Sequence, residues 1–363
     1  MRPTFSNCCV ILLLTACGGK EQNHMAFNSP VFPESREVKV TPLVNDFLFD
    51  GSRHFEMADI GDYFVIVNFL ENKYFHILEK ETGAYVKSFG SYGRGPGELS
   101  SYPKIGLNED KSVFYVFQYA GAMNYFWSYK ADDILFDKNV LPVWEDQIKL
   151  FLDEGEKYPG AASDFVAWQD RRVFVRNRLH RFEVQDTLGN TLYLYDKYPV
   201  VPLNQASDSV YFHDSYIHAA FALKPDMSRL VMASNYGCIL EIFTVDVSGT
   251  IEKEIEKRFH PPLIEDNKNG RPKYYTDGQV LGISTLSVTD DHIYAKYNGK
   301  RYYAEGPVLY PHTIAVFDWS GNPIRRYVLD WSIENFIIDN QYSRCYLVGI
   351  DPNDETLLGY FDL

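Results

Sequence analysis

Four short segments, Glu79–Gly83, Asp186–Gly189, Asp246–Gly249 and Asp318–Gly321, each join two strand-like runs, and the last three share the pattern Asp-x-x-Gly. Aspartate can turn the chain through its own side chain, and glycine takes the positive φ that a tight hairpin needs. The four glycines lie 106, 60 and 72 residues apart. That spacing fits a unit of about 50 to 60 residues, with one turn missing from the first gap. Between the turns run short β-branched and aromatic stretches such as Tyr63–Val67, Tyr74–Leu78, Val113–Phe117, Arg172–Arg176, Thr191–Tyr195 and Thr313–Phe317. About twenty such runs can be marked. A repeat of this length with four antiparallel strands per unit is the pattern of a β-propeller, and dividing the chain by it gives about six blades.

Helical patterning is nearly absent. Its clearest instance is Trp144–Leu152, where Trp144, Ile148, Phe151 and Leu152 share one face after Pro142, which predicts a short inserted helix. Parallel α/β folds need a helix between successive strands, so they are excluded. The fold expected is all-β: a six-bladed propeller of four-stranded antiparallel blades with one short inserted helix. The chain stops on the strand pattern Leu357–Leu363, and Arg36–Val40 opens with alternation. An N-terminal strand that completes the last blade would close the ring and leave no open edge. Deleting residues 36–50 should then unfold the protein, while deleting 18–30 should leave its melting temperature unchanged.

With 45% hydrophobic and 23% charged residues, the chain can bury a core. Its formal charge of −14 argues against a nucleic-acid partner, which calls for a basic surface. The N-terminus places Arg2 ahead of the apolar run Cys8–Leu14 and then small residues, the grammar of an export signal. The run is far shorter than the roughly 18 residues needed to span a bilayer. Leu14-Thr15-Ala16-Cys17 resembles a bacterial lipobox, which makes Cys17 the lipidated first residue of the mature chain. Removing residues 1–16 removes Arg2 and no acid, so the charge becomes −14 − 1 = −15. The expected divisions are 1–16 signal peptide, 17–35 lipidated flexible spacer and 36–363 propeller, the whole tethered through Cys17 to the cell envelope, at the outer membrane. Lys20-Glu21 faintly resembles the charged surface-export signals of Bacteroidota lipoproteins. Cys238 and Cys345 sit in strand-like contexts and are expected to be small buried hydrophobes.

The most distinctive segment is Gly90-Ser91-Tyr92-Gly93-Arg94-Gly95-Pro96-Gly97-Glu98-Leu99, followed by Tyr102–Leu107. It resembles the inter-blade pattern of NHL-type propellers and, more closely, the Gly-Arg-Gly-Pro-Gly-Glu loop of the TolB-like six-bladed propeller lipoproteins of Bacteroidota. Ala220–Asp226 with Arg229–Val231 is a second TolB-like feature. The chain differs from NHL arrays in carrying the loop once and in following its strand with Phe117-Gln118 instead of an acid. The resemblance, over residues 37–363, implies a fold and an envelope location, and for most members no established activity. A phosphate-binding loop needs Lys-Ser/Thr where Glu98-Leu99 stands, so the segment is expected to be a tight crossing between blades.

His213, Asp214 and His218 form the best polar cluster, just ahead of the strand-like run Ala219–Leu223. At that position in a propeller they would face the channel and are the candidate ligand-binding residues. Two imidazoles and one carboxylate only begin a metal site. Glu265–Gly270 mimics the first half of a calcium loop, but Thr276 stands where a bidentate Glu is required. His-Glu-x-x-His, Gly-x-Ser-x-Gly and Cys-x-x-Cys are all missing. No catalytic residue, cofactor or metal is therefore expected. The leading functional expectation is a non-catalytic binding or scaffold module that presents one propeller face to a protein or glycan. The alternative is an envelope hydrolase or lyase acting on polysaccharide or peptidoglycan at the channel. Carboxylates or histidines that converge at the channel mouth with perturbed pKa would favour the enzyme.

Overall fold

The computed structural model describes residues 27–363 except 44–46, 48, 50–54, 96, 121–122, 138–139, 141, 149–161, 169–170, 177–179, 200–218, 264, 267–271, 274–276, 305 and 308–309. An N-terminal strap carries β1 (Glu34–Val38) and β2 (Thr41–Pro42). Blade 1 is β3 (Glu56–Ile60), β4 (Tyr63–Leu70), β5 (Lys73–Glu79) and β6 (Tyr85–Ser91). Blade 2 is β7 (Lys104–Leu107), β8 (Val113–Ala120), β9 (Met123–Lys130) and β10 (Trp144–Ile148), with helix α1 (Ala131–Phe136) between the last two strands. Blade 3 comprises β11 (Ala162–Trp168), β12 (Arg171–Arg176), β13 (Phe182–Asp186) and β14 (Thr191–Tyr195). In blade 4 are β15 (Ala220–Leu223), β16 (Arg229–Ala233), β17 (Cys238–Val245) and β18 (Ile251–His260). A small hairpin follows, β19 (Glu265–Asp266) with β20 (Pro272–Lys273). Blade 5 is β21 (Ile283–Val288), β22 (His292–Tyr297), β23 (Thr313–Asp318) and β24 (Pro323–Leu329), and blade 6 is β25 (Ser332–Asp339), β26 (Arg344–Ile350) and β27 (Thr356–Asp362) plus β2. The molecule is a six-bladed propeller of mostly four-stranded antiparallel blades, as the turn spacing predicts.

The core is divided among the blade interfaces. The middle strands are buried on both faces, so successive residues serve opposite neighbours. In β4, Val65 and Val67 pack toward blade 2, while Phe64 and Ile66 pack toward blade 6. In β26, Cys345 and Leu347 face blade 5, and Tyr346 and Val348 face blade 1. This is why those strands appear in the sequence as unbroken apolar runs. The aromatic residues sit largely in these wedges, for example Phe117, Phe126, Phe165 and Phe174 between blades 2 and 3. Cys238 and Cys345 are free and buried in different wedges, and burial pushes both thiols well above their ordinary range.

The recurring turns join the third and fourth strands of blades 1, 3, 4 and 5. Asp186 Oδ1 accepts from the amides of Leu188 (2.9 Å) and Asn190 (2.8 Å), and Asp246 and Asp318 repeat the arrangement. Their glycines, like Gly83, have φ between +72° and +88°. The turn absent from the first gap belongs to blade 2, where α1 replaces it. Here the structure corrects the helix position: Trp144–Ile148 is β10, paired along β9 from Trp144↔Ser128 to Ile148↔Asn124. The unpaired edge of β9 decides the conformation of that short run, overriding its helical spacing. The helix lies earlier, at α1, where Asp132 and Asp133 occupy the first turn and suit its partial positive charge.

Ring closure uses the strap differently from the simplest expectation. β1 adds to blade 5 as a fifth strand, parallel to β24, and it is β2 that completes blade 6 through Thr41↔Tyr360 and Pro42↔Gly359. The strap also begins earlier than the spacer boundary at residue 35. Asn28 N donates to Arg258 O (3.0 Å), Phe27 packs on the blade 3–4 wedge, and the Phe32 ring meets Phe317 edge-on at 5.6 Å. Two aromatic side chains in an otherwise polar stretch anchor it. Ion pairs pin the seam as well: buried Lys80 Nζ lies 2.5 Å from Asp59 Oδ1 and 2.7 Å from Asp339 Oδ2, and the half-exposed Lys111 lies 2.7 Å from Asp59 Oδ2. That cluster ties blades 6, 1 and 2. Between blades 3 and 4, Arg181 and Glu241, both fully buried, pair through both guanidinium nitrogens.

Candidate functional site in the propeller channel

The six inner strands β3, β7, β11, β15, β21 and β25 start at one end of the channel, and the crossings from each blade's outer strand arrive there too. At that mouth lies a cavity of about 440 Å³. Each inner strand lines it near its start: Glu56, Lys104, Ser163 with Asp164, Ala220 with Phe221, Ser284–Leu286, and Asn335; Asn235 and Ala219 complete the wall. Its volume lies within the roughly 300–1,000 Å³ typical of small-molecule sites.

Charges of both signs converge in it. Lys104 forms an ion pair with Glu56, and its Nζ is 4.0 Å from Asp164 Oδ2. The three side chains retain 39%, 31% and 24% exposure, so they sit in the ring yet stay partly open to the cavity. Burial would lower the Lys104 ammonium, but the Glu56 and Asp164 charges outweigh it and hold the group above its ordinary value. Burial pushes the Asp164 carboxyl up to about 6, with Lys104 pulling it down and Glu56 adding to the rise. From β22, Lys296 reaches over to blade 6, where its Nζ donates to Glu334 O at 2.5 Å. Burial pushes this ammonium down to about 8 against the charges of Glu334 and Glu56, and Lys104 reinforces the fall. Asn335 Nδ2 donates to Phe55 O (2.6 Å), fixing the last inner strand against the first.

Aromatic side chains gather on the same face, in blade 1 and its crossing to blade 2. Tyr92 and Tyr102 are 50% and 39% exposed, and their rings rest on Phe69 and Tyr74 with centroids 5.5–5.8 Å apart for Phe69–Tyr92 and Tyr74–Tyr102. Burial, with the neighbouring Tyr102 and Tyr92, pushes the Tyr74 hydroxyl up to about 12. The glycine loop between these tyrosines is the tight crossing expected. Glu98 folds back so that its Oε2 accepts from Gly95 N (2.8 Å), and a Cβ on Gly93 would come within 1.8 Å of that oxygen. The loop amide is thus taken by the chain's own carboxylate.

The sequence-predicted residues fare unevenly. Cys17, His213, Asp214 and His218 lie outside the described residues, although the next residues after His218, Ala219 and Ala220, line the cavity. Glu265 and Asp266 belong to the β19 hairpin, and Asn267–Gly270 lie outside the described residues. Among the described residues no group of three His, Cys, Asp or Glu side chains is placed to hold a metal, and no helix is long and apolar enough to cross a membrane. Sequence reasoning missed Glu56, Lys104, Asp164 and Lys296. The available signal was a charged residue within the first three positions of inner strands β3, β7 and β11, which is legible once the blades are counted.

Comparison with known proteins agrees with this architecture. The profile of the family described as TolB-like 6-blade propeller-like matches residues 31–341. Among solved structures, a protein assigned as exported from Bacteroides fragilis is similar at a TM-score of 0.53 and 12% identity, over 91% of this chain and 99% of that one. A DUF4221 family member from Bacteroides vulgatus gives 0.52 and 12%, over 89% and 96%. No curated protein matches the sequence.

Proposed function

The chain belongs to the TolB-like six-bladed propeller family, and on that premise we propose that it is an exported, lipid-anchored binding module whose channel cavity seats the end of a glycan. The observation that carries the reading is the cavity itself: polar side chains from five of the six inner strands converge on it at the mouth face. Exposed Tyr92 and Tyr102 on that face offer stacking surface for sugar rings, which favours a glycan over a protein partner. The anchor rests on the lipobox-like Leu14–Cys17, and the exported Bacteroides neighbour supports an envelope location. A glycan array probed with the detergent-solubilised full chain tests the function. Lys104→Ala removes a charged hydrogen-bond donor worth about 1.5–3 kcal/mol, so binding of array hits should weaken at least about tenfold. An array without hits, or hits indifferent to Lys104→Ala, would sink the reading.

One observation favours a second reading, an envelope hydrolase or lyase. Asp164, held near 6, shares Lys104 with Glu56, and such displaced carboxyls suit acid–base work. Release of reducing ends from envelope polysaccharide or peptidoglycan by the wild type, abolished in Glu56→Gln, would replace binding with catalysis.

A further inference from the structure

We infer, building on the glycan-end reading, that the seat takes an acidic sugar, a terminal residue whose single carboxylate is received by Lys296 beside Lys104. Lys296 stands opposite Thr285 in the register of β22 and β21, and opposed residues of an antiparallel pair present their side chains on the same face. Its Nζ ends at the carbonyl of Glu334, next to Asn335. Thr285 and Asn335 both line the cavity, so the ammonium is bracketed by two wall residues. Among the described residues that carbonyl is its one hydrogen-bond acceptor, and no carboxylate lies within 4.0 Å of it.

The other described lysines in the ring's interior are not left this way. Lys80 holds two aspartates and Lys104 sits against Glu56 and Asp164. This partly buried ammonium touches only a neutral acceptor, and the charges of Glu334 and Glu56 act on it without a contacting ion pair of the kind such groups normally keep. Desolvation depresses its titration, and the charges of Glu334 and Glu56 do not offset it, which leaves room for a contacting counter-charge. A ligand carboxylate would supply it, and Asn235, Ser284 and Thr285 are neutral partners for the hydroxyls of a sugar ring. The chain's charge of −14 repels a polyanion at long range. Local recognition of one acid group on an otherwise neutral chain end is therefore favoured over tracking along a polyuronate.

The test is titration calorimetry on the detergent-solubilised full chain with matched pairs: glucuronate against glucose, galacturonate against galactose, and each acid against its neutral methyl ester. The acids should bind at least about tenfold more tightly than their neutral partners, as expected for one charge-assisted contact. Lys296→Met should reduce that preference to near unity, and Lys296→Arg should keep part of it. Equal binding of acids and neutral sugars would overturn the acidic preference and leave the glycan seat standing. No binding of any sugar, whatever its charge, would overturn the seat as well. Because the wild-type comparison needs no variant, a poorly folding Lys296→Met leaves the inference decidable.

Discussion

Asp164 is the residue whose chemistry is most altered by its place in the ring. Its folded pKa near 6 lies above the roughly 3.9 of an unfolded aspartate, so the folded state binds its proton more tightly. The sign follows from linkage: stability falls as pH rises from about 4 to about 6, and the cost of the ionised group persists above that. Asp164→Asn can still accept the Phe165 amide that Asp164 Oδ1 takes at 2.8 Å, and it never ionises. The variant should therefore gain on the wild type between pH 4 and pH 7, by about 1–2 kcal/mol after allowance for cavity water. Melting curves in a pH series check this, and an offset that stays constant from pH 4 to pH 8 would refute it. Nothing in the local sequence Ala162-Ser163-Asp164-Phe165 marks this aspartate, because the burial and the Lys104 and Glu56 charges that shift it come from three different blades. Glu56 and Lys104 carry no local mark either, and only the blade count, which puts each at the start of an inner strand, points to them. Cys238 and Cys345, by contrast, were legible as buried hydrophobes, since the apolar strand around each already fixes its environment.

Short elements were decided by their neighbours, and long periodic ones by their own pattern. The middle strands needed no context: their continuous apolar runs can only be buried on both sides. Trp144–Leu152 has the spacing of a helix, but the open edge of β9 made the five residues Trp144–Ile148 a strand. The N-terminal strap behaves similarly. Phe27 and Phe32 are two apolar residues in a polar stretch, too few to announce an element, yet each finds a groove on blades 3 to 5. Deleting residues 18–30 should consequently lower the melting temperature by a few degrees, because it removes Phe27 and the Asn28 hydrogen bond. Deleting 36–50 should abolish the cooperative transition, because it takes away β2, most of β1 and the buried Val40, Leu43, Phe47 and Phe49. Equal melting temperatures for the two truncations would refute the account of the strap.

At the scale of the whole molecule, the ring makes a site from residues that are distant in the chain. Glu56 and Asn335 are separated by nearly the length of the propeller, and closure through β2 and the Lys80–Asp59–Asp339 cluster brings their strands side by side. The lipid anchor proposed at Cys17 is tested at this scale too: Cys17→Ala is expected to move the protein from the membrane fraction to the soluble one without changing its melting temperature. Retention of the variant in membranes would refute the anchor. By itself, the sequence determined the all-β class, the blade period and the number of blades, because turn chemistry and side-chain alternation are local and repeat. Only the tertiary structure decided which charged residues share the channel, since the inner strands contribute one or a few side chains each and only the closed ring sets them within reach of one another. Burial and mutual charge, which give Asp164 and Lys296 their altered protonation, exist only after that closure.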